Sequence, residues 1–89
     1  MKRYKLIFKG RVQGVGFRFT AKMTADRLGL TGNVKNLYNY DVECYIQGEE
    51  ENIDRFIHEL NNQRFIRIES IDKTEVSLRD NENSFDIIG

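Results

Sequence analysis

The sequence predicts an α+β fold in which an antiparallel sheet carries two helices on one face, in the order β-α-β-β-α-β with a short last strand. Three observations carry this reading. The chain opens on an alternating run, with Leu6, Phe8 and Val12 on one side and Lys5, Lys9 and Arg11 on the other, Ile7 being the exception. Farther on, Ile53, Phe56, Ile57 and Leu60 fall at i, i+3, i+4 and i+7, the spacing of one helix face. Between them lie two further alternating runs, close enough in sequence to pair as a hairpin. At 89 residues the chain is long enough for one hydrophobic core, and residues 1–89 are read as a single domain.

The first strand covers residues 4–12. After a glycine-containing loop, Phe17 to Leu28 reads as a helix whose inner stripe is Phe19 and Met23, joined by Ala25 and Leu28, while Lys22, Asp26 and Arg27 stay in water. Gly29 is placed to stop it. Thr31 to Tyr38 forms a second strand, with Val34 and Asn36 on one face and Asn33 and Lys35 on the other. Asn39-Tyr40 occupies the turn. Asp41 to Gln47 is the third strand, with Val42, Cys44 and Ile46 on its inner face. Gly48 ends that strand, and Glu49-Glu50-Glu51 opens the second helix with charge that suits its positive end. Asn61-Asn62 closes it. Phe65 to Leu78 keeps no clean period; a strand is expected near Ile71 to Leu78, then a turn over Asp80 to Asn83 and a short strand at Phe85 and Ile87. Together these elements make a ferredoxin-like β-α-β-β-α-β sandwich, an architecture that by itself names no function.

Composition narrows the partners. Fourteen basic and fourteen acidic side chains give a formal net charge of zero. A nucleic-acid binder normally carries a basic excess, so nucleic acid is not expected as a partner. No run is long enough to span a membrane, and the apolar stretch after Met1-Lys2-Arg3-Tyr4-Lys5 is too short for a signal peptide. The one cysteine, Cys44, excludes an intrachain disulfide and suits a reducing, cytoplasmic setting; on the inner face of its strand it reads as a small core residue. The one histidine, His58, excludes multi-histidine metal clusters and lies on the wet side of its helix.

The stretch richest in chemistry is Gly10-Arg11-Val12-Gln13-Gly14-Val15-Gly16-Phe17-Arg18. Glycines at a strand-to-helix turn let backbone N–H groups converge, and the helix start adds unpaired donors and a positive dipole end. Arg18 adds a planar fork that matches a phosphoryl group. The loop therefore reads as a phosphate cradle. It lacks the Gly-Lys of a P-loop, and Phe19 stands where the dinucleotide fingerprint needs its third glycine.

The same nine residues resemble the signature of the acylphosphatases. The similarity continues through Ala25, Leu28-Gly29-Leu30, Gly32, Val34-Lys35-Asn36, Val42-Glu43, Gly48, Phe56, Phe85 and Ile87, and so spans nearly the whole chain. A related signature opens a much larger hydrogenase-maturation protein, which usually continues differently after the arginine. The resemblance implies hydrolysis of the carboxyl–phosphate bond of small acyl phosphates by a monomer, with no metal and no cofactor. It further implies that Arg18 binds substrate, that Gln13, Gly14, Val15, Gly16 and Phe17 form the phosphate-binding loop, and that Asn36 orients the water. Asn36 shares a strand face with Val34 and is expected beside the start of the first helix.

The chain departs from the family at two places. Asn33 stands where many relatives have tryptophan, and Asn39-Tyr40 where relatives often have Asp-Gly. Tyrosine adopts a left-handed conformation poorly, so a shifted or mobile turn is expected there, with Tyr38 and Tyr40 edging the site. Two other readings stay open: a non-catalytic anion-binding or regulatory module, and a nucleic-acid-binding sheet using the open face that bears Lys35 and Tyr45. The neutral charge and scarcity of sheet-face aromatics count against the latter.

Overall fold

A computed structural model describes all residues from Met1 to Gly89. The strands are β1 (Lys2–Arg11), β2 (Thr31–Asn36), β3 (Val42–Gly48), β4 (Arg67–Val76) and β5 (Phe85–Ile87), and the helices are α1 (Phe17–Arg27) and α2 (Glu50–Asn61). They form one five-stranded sheet in the order β4-β1-β3-β2-β5. Alternation works as the sequence implies. Leu6 stands opposite Cys44 and Phe8 opposite Val42, while Cys44 in turn faces Val34. All five side chains are fully buried, in one cluster with Ile53, Phe56 and Leu60 of α2. Both helices therefore cover the same face of the sheet.

Helix α1 differs from the expectation. Its buried face is Phe17, Ala21, Thr24 and Ala25. Phe19 and Met23 are 65% and 57% exposed, so neither belongs to the core. The spacing i, i+4, i+7 and i+8 from Phe17 sets the inner stripe, and residues 19 and 23 lie roughly 200° around the helix from it. Small alanines at the contact let α1 lie close to the sheet, a role that bulk-weighted reading assigns to the larger apolar residues.

Strand boundaries shift as well. β4 begins at Arg67 rather than near Ile71; a bulge opposite Lys9 and Gly10 puts Ile68 and Ile71 three residues apart on one face, and exposed Lys73 and Glu75 continue that face, which breaks the alternation that would mark the strand. β2 stops at Asn36, short of Tyr38. The largest topological correction concerns β5, which pairs with β2 in parallel, making the sheet mixed. Since β4 and β5 lie at opposite edges, the connection over residues 77–84 has to cross β1, β3 and β2.

That crossing is held by a polar cluster on the face away from the helices. Arg3 of β1 reaches Glu82 at 2.7 Å and Gln47 Oε1 at 3.3 Å. Gln47 of β3 accepts from Arg79 N at 2.8 Å and donates to Arg79 O at 3.0 Å. Thr31 of β2 donates to Glu82 at 2.8 Å, and Gly32 N donates to Ser84 O at 3.0 Å. Each strand that the connection passes over thus supplies a hydrogen bond to it. The Arg3 and Glu82 side chains are only 5% and 11% exposed, so the pair is desolvated as well as charged.

Removing one partner from such a pair leaves an uncompensated buried charge. Arg3→Ala and Glu82→Ala are each expected to lower folding stability by about 3 kcal/mol, read as a fall in the urea midpoint. Cys44 gives a second check. It is fully buried, and burial pushes its thiol well above the ordinary range. The native protein should therefore resist a thiol reagent at pH near 8 and be labelled at once in denaturant.

Candidate active site

Past Arg11 the chain leaves the sheet and turns into α1. The turn depends on two left-handed residues, Gly14 at φ 73° and Gly16 at φ 78°. A side chain there would be strained by the backbone conformation even though a Cβ at either position would meet nothing within 4 Å. Below the loop, Phe17 is 2% exposed and its ring lies 4.9 Å from that of Phe8, which fixes the helix start to β1. Gly16 is the N-cap of α1, with no capping side chain and no acidic residue in the first turn. The positive end of the helix is thus left without a protein anion.

A cavity of about 270 Å³ opens between this loop, the start of α1, the end of β2 and β5. Its lining brings together Gly14, Gly16, Phe17, Arg18 and Asn36, five of the residues expected at the site. The one hydrogen bond of the Arg18 side chain runs to Gly89 O at 3.4 Å, which leaves most of its five donors free. Asn36 closes β2 opposite Val42, and its Oδ1 is buried without a hydrogen-bond partner. An orphaned buried acceptor costs about 1–3 kcal/mol, and here it belongs to a residue that lines the cavity.

The other two expected residues play different structural parts. Val15 lies outside this lining, packed partly against the core and on the wall of a neighbouring cavity. Gln13 turns its amide away, donating to Leu37 O at 2.8 Å and Asp41 O at 2.9 Å. It thereby ties the glycine loop to the turn that follows Asn36.

That turn is closed across residues 37–41. Leu37 N donates to Asp41 O at 2.9 Å, and Tyr40 N to Leu37 O at 3.2 Å. Tyr40 does adopt a left-handed conformation, at φ 74°. Asn39 offsets that cost by accepting from Asp41 N at 3.1 Å. Tyr38 and Tyr40 point into solvent and line neither cavity, contrary to the expectation that they edge the site. Three residues that sequence reading did not place here do line it, Val12, Phe19 and Ile87. Phe19 reaches the cavity because the alanine face of α1 turns it outward. Ile87 arrives through the parallel pairing of β5 with β2, for which no local pattern exists.

A family model described as acylphosphatase matches residues 4–87. An acylphosphatase from Clostridium acetobutylicum is 42% identical over 89 residues, covering 99% of this chain and 98% of that protein. The crystal structure of acylphosphatase from Bacillus subtilis superposes with a TM-score of 0.92 at 36% identity, covering the whole of both chains. T. kodakarensis HypF also matches all of this chain, with a TM-score of 0.86 and 34% identity, but through only 12% of its own length. Such similarity spans both helices, every strand and the glycine loop. The chain belongs to the acylphosphatase family.

Proposed function

We propose that the chain hydrolyses the carboxyl–phosphate bond of small acyl phosphates, with Arg18 and the backbone of residues 13–17 holding the phosphoryl group and Asn36 orienting the attacking water. The observation that carries the reading is the buried, unpartnered Asn36 Oδ1 in one cavity with Arg18 and the loop glycines. A rotation of the amide would bring Oδ1 to a water in the cavity, which satisfies the acceptor and holds that water next to the cradle.

The chemistry asks for little more. The leaving group is a carboxylate whose parent acid has a pKa of about 4, so it departs with the P–O bonding electrons without being protonated. What the protein must supply is position and charge stabilisation on the phosphoryl oxygens while water attacks in line. The water oxygen forms the new P–O bond, and its proton passes to a phosphate oxygen or to solvent. Arg18 is the only titratable side chain in the lining, and an asparagine amide both accepts from and donates to water without changing charge. No group of three or more His, Cys, Asp or Glu side chains is gathered anywhere in the structure. Residues 1–89 act as one catalytic domain in this reading. The lone buried thiol supports a cytoplasmic setting.

Gln13 is a positioning residue in this scheme. Its two N–H groups bridge the loop to carbonyls on both sides of the 37–41 turn, so they fix Asn36 relative to the cradle. A displacement of about 1 Å at a reacting centre can cost on the order of 100-fold in rate.

Turnover of acetyl or benzoyl phosphate should persist with a chelator present; no turnover above the spontaneous rate overturns the proposal. Arg18→Gln should reduce kcat/KM by roughly 100- to 1000-fold, the size of effect seen when one preorganised donor is lost, and weaken inorganic phosphate binding with it. Asn36→Ala should instead lower kcat on the order of 100-fold while inorganic phosphate still binds; equal loss of binding would count against its role with water. For Gln13, both the Ala and the Glu variant should lower kcat by about tenfold with KM little changed, because Glu keeps the size but offers no donor. Faster amide exchange at Leu37 and Asp41 should accompany that loss.

A further inference from the structure

Strand β5 is three residues long and supplies one wall of the proposed site, so whatever fixes it bears on the chemistry. On one edge it is bonded to β2. Gly32 N donates to Ser84 O at 3.0 Å, and Ile88 N to Val34 O at 2.9 Å. Backbone groups of successive residues in an extended strand point to opposite edges, so those of Phe85, Ile87 and Gly89 face away from β2. Two carbonyls on that outer edge accept from α1. Lys22 Nζ donates to Phe85 O at 2.7 Å, in a part-buried setting, and Arg18 Nη1 to Gly89 O at 3.4 Å. The two donors stand at i and i+4 and so share one side of the helix. Ile87, which lines the cavity, lies between the two acceptors in the chain.

The two contacts are unequal. A charged donor at 2.7 Å makes a strong hydrogen bond, whereas 3.4 Å is near the limit for one. Asp26, 3.3 Å from Lys22 Nζ, steadies the ammonium from the next turn. Arg18 has a second task, since the proposed reaction needs its guanidinium on the phosphoryl group. Turning to substrate takes it from Gly89, and the outer edge of β5 then depends on Lys22.

We infer that Lys22 is a positioning residue for the proposed reaction: it clamps β5 to α1, so that Arg18 can leave Gly89 O for the phosphoryl group while the Ile87 wall stays in place. The inference rests on the hydrolytic reading for the role of Arg18. Lys22 does not line the cavity and acts only through the strand. The carbonyl it holds lies 63 residues away in the chain, so no local pattern marks the role.

The test follows amide exchange at Gly32 and Ile88, whose bonds report the docking of β5. It compares the native protein with K22M, which has no donor, and K22R, which keeps charge and donors. In K22M both amides should exchange about tenfold faster, the scale of one lost hydrogen bond to a charged group, and K22R should restore most of the protection. Equal acceleration throughout the β1–β3 ladder means a global loss of stability and overturns the clamp. Saturating inorganic phosphate should leave Ile88 exchange unchanged in the native protein and speed it further in K22M, because Arg18 is then drawn from Gly89. No phosphate effect in K22M overturns the inference. D26N, which leaves the bond to Phe85 O in place, should change neither rate; an effect equal to that of K22M overturns it too. Turnover of acetyl phosphate gives a separate readout, in which K22M should lower kcat about fivefold with KM little changed. A raised KM with kcat unchanged means that Lys22 merely attracts the anion, and rejects positioning. A native protein that binds phosphate but turns over no acyl phosphate rejects the hydrolytic reading alone, and amide exchange still decides the clamp.

Discussion

The structure depends on a crossing. β4 and β5 occupy opposite edges of the sheet, so residues 77–84 must pass over the ends of three strands before β5 can pair with β2. Such a segment has no ladder of its own, and its polar groups need partners supplied from the sheet face. The Arg3–Glu82 pair, with Gln47 and Thr31 beside it, supplies them. Only with that segment in place does Ile87 reach the wall of the cavity that holds Arg18 and Asn36. An ion pair on the helix-free face thus helps hold the segment leading to a strand that walls this cavity.

Charge is distributed with the same economy. Fourteen cations balance fourteen anions, and many of the cations are neutralised where they stand. Around the glycine loop the balance is abandoned. Arg18 lines one side, three arginines line the other, and no carboxylate lines either. Backbone donors at the start of α1 add to this field without adding to net charge. Overall neutrality and a local excess of positive charge are therefore compatible.

Much of this was legible in the chain. The strand at 4–12, the second helix at Ile53 to Leu60, the paired central strands and the buried Cys44 follow from periodicity alone, since a 2.0 or 3.6 repeat of apolar residues leaves few other solutions. The glycine loop and Arg18 suggest an anion cradle from their residue types, whereas Asn36 is singled out only by the resemblance to the acylphosphatases. What escaped reading was non-local or ran against bulk. Phe19 and Met23 look like core but face water, because Ala21 and Ala25 set the contact. β4 shows weak alternation because a bulge shifts its register and its core-side face ends in exposed Lys73 and Glu75. Arg3 reads as a surface charge until a distant glutamate is brought over it. The double hydrogen bond of Gln13 to the 37–41 turn has no sequence signal, because its acceptors are carbonyls that every residue has.

The parallel docking of β5 has a kinetic consequence. The walls of the proposed site come from Val12, Gly14, Gly16 to Phe19, Asn36 and Ile87, so it is assembled from the beginning, middle and end of the chain. β1 pairs with residues as distant as Val76, and β2 with residues 85–87. Topologies built on such remote pairings fold slowly, on a scale of about milliseconds to seconds. The three-residue β5 is the shortest strand and rests on the crossing segment, so it is the natural last piece to dock. A partly folded chain would hold the helices and central strands but present an open, incomplete cavity. Closure of that cavity therefore requires the final strand, which supplies one of its walls.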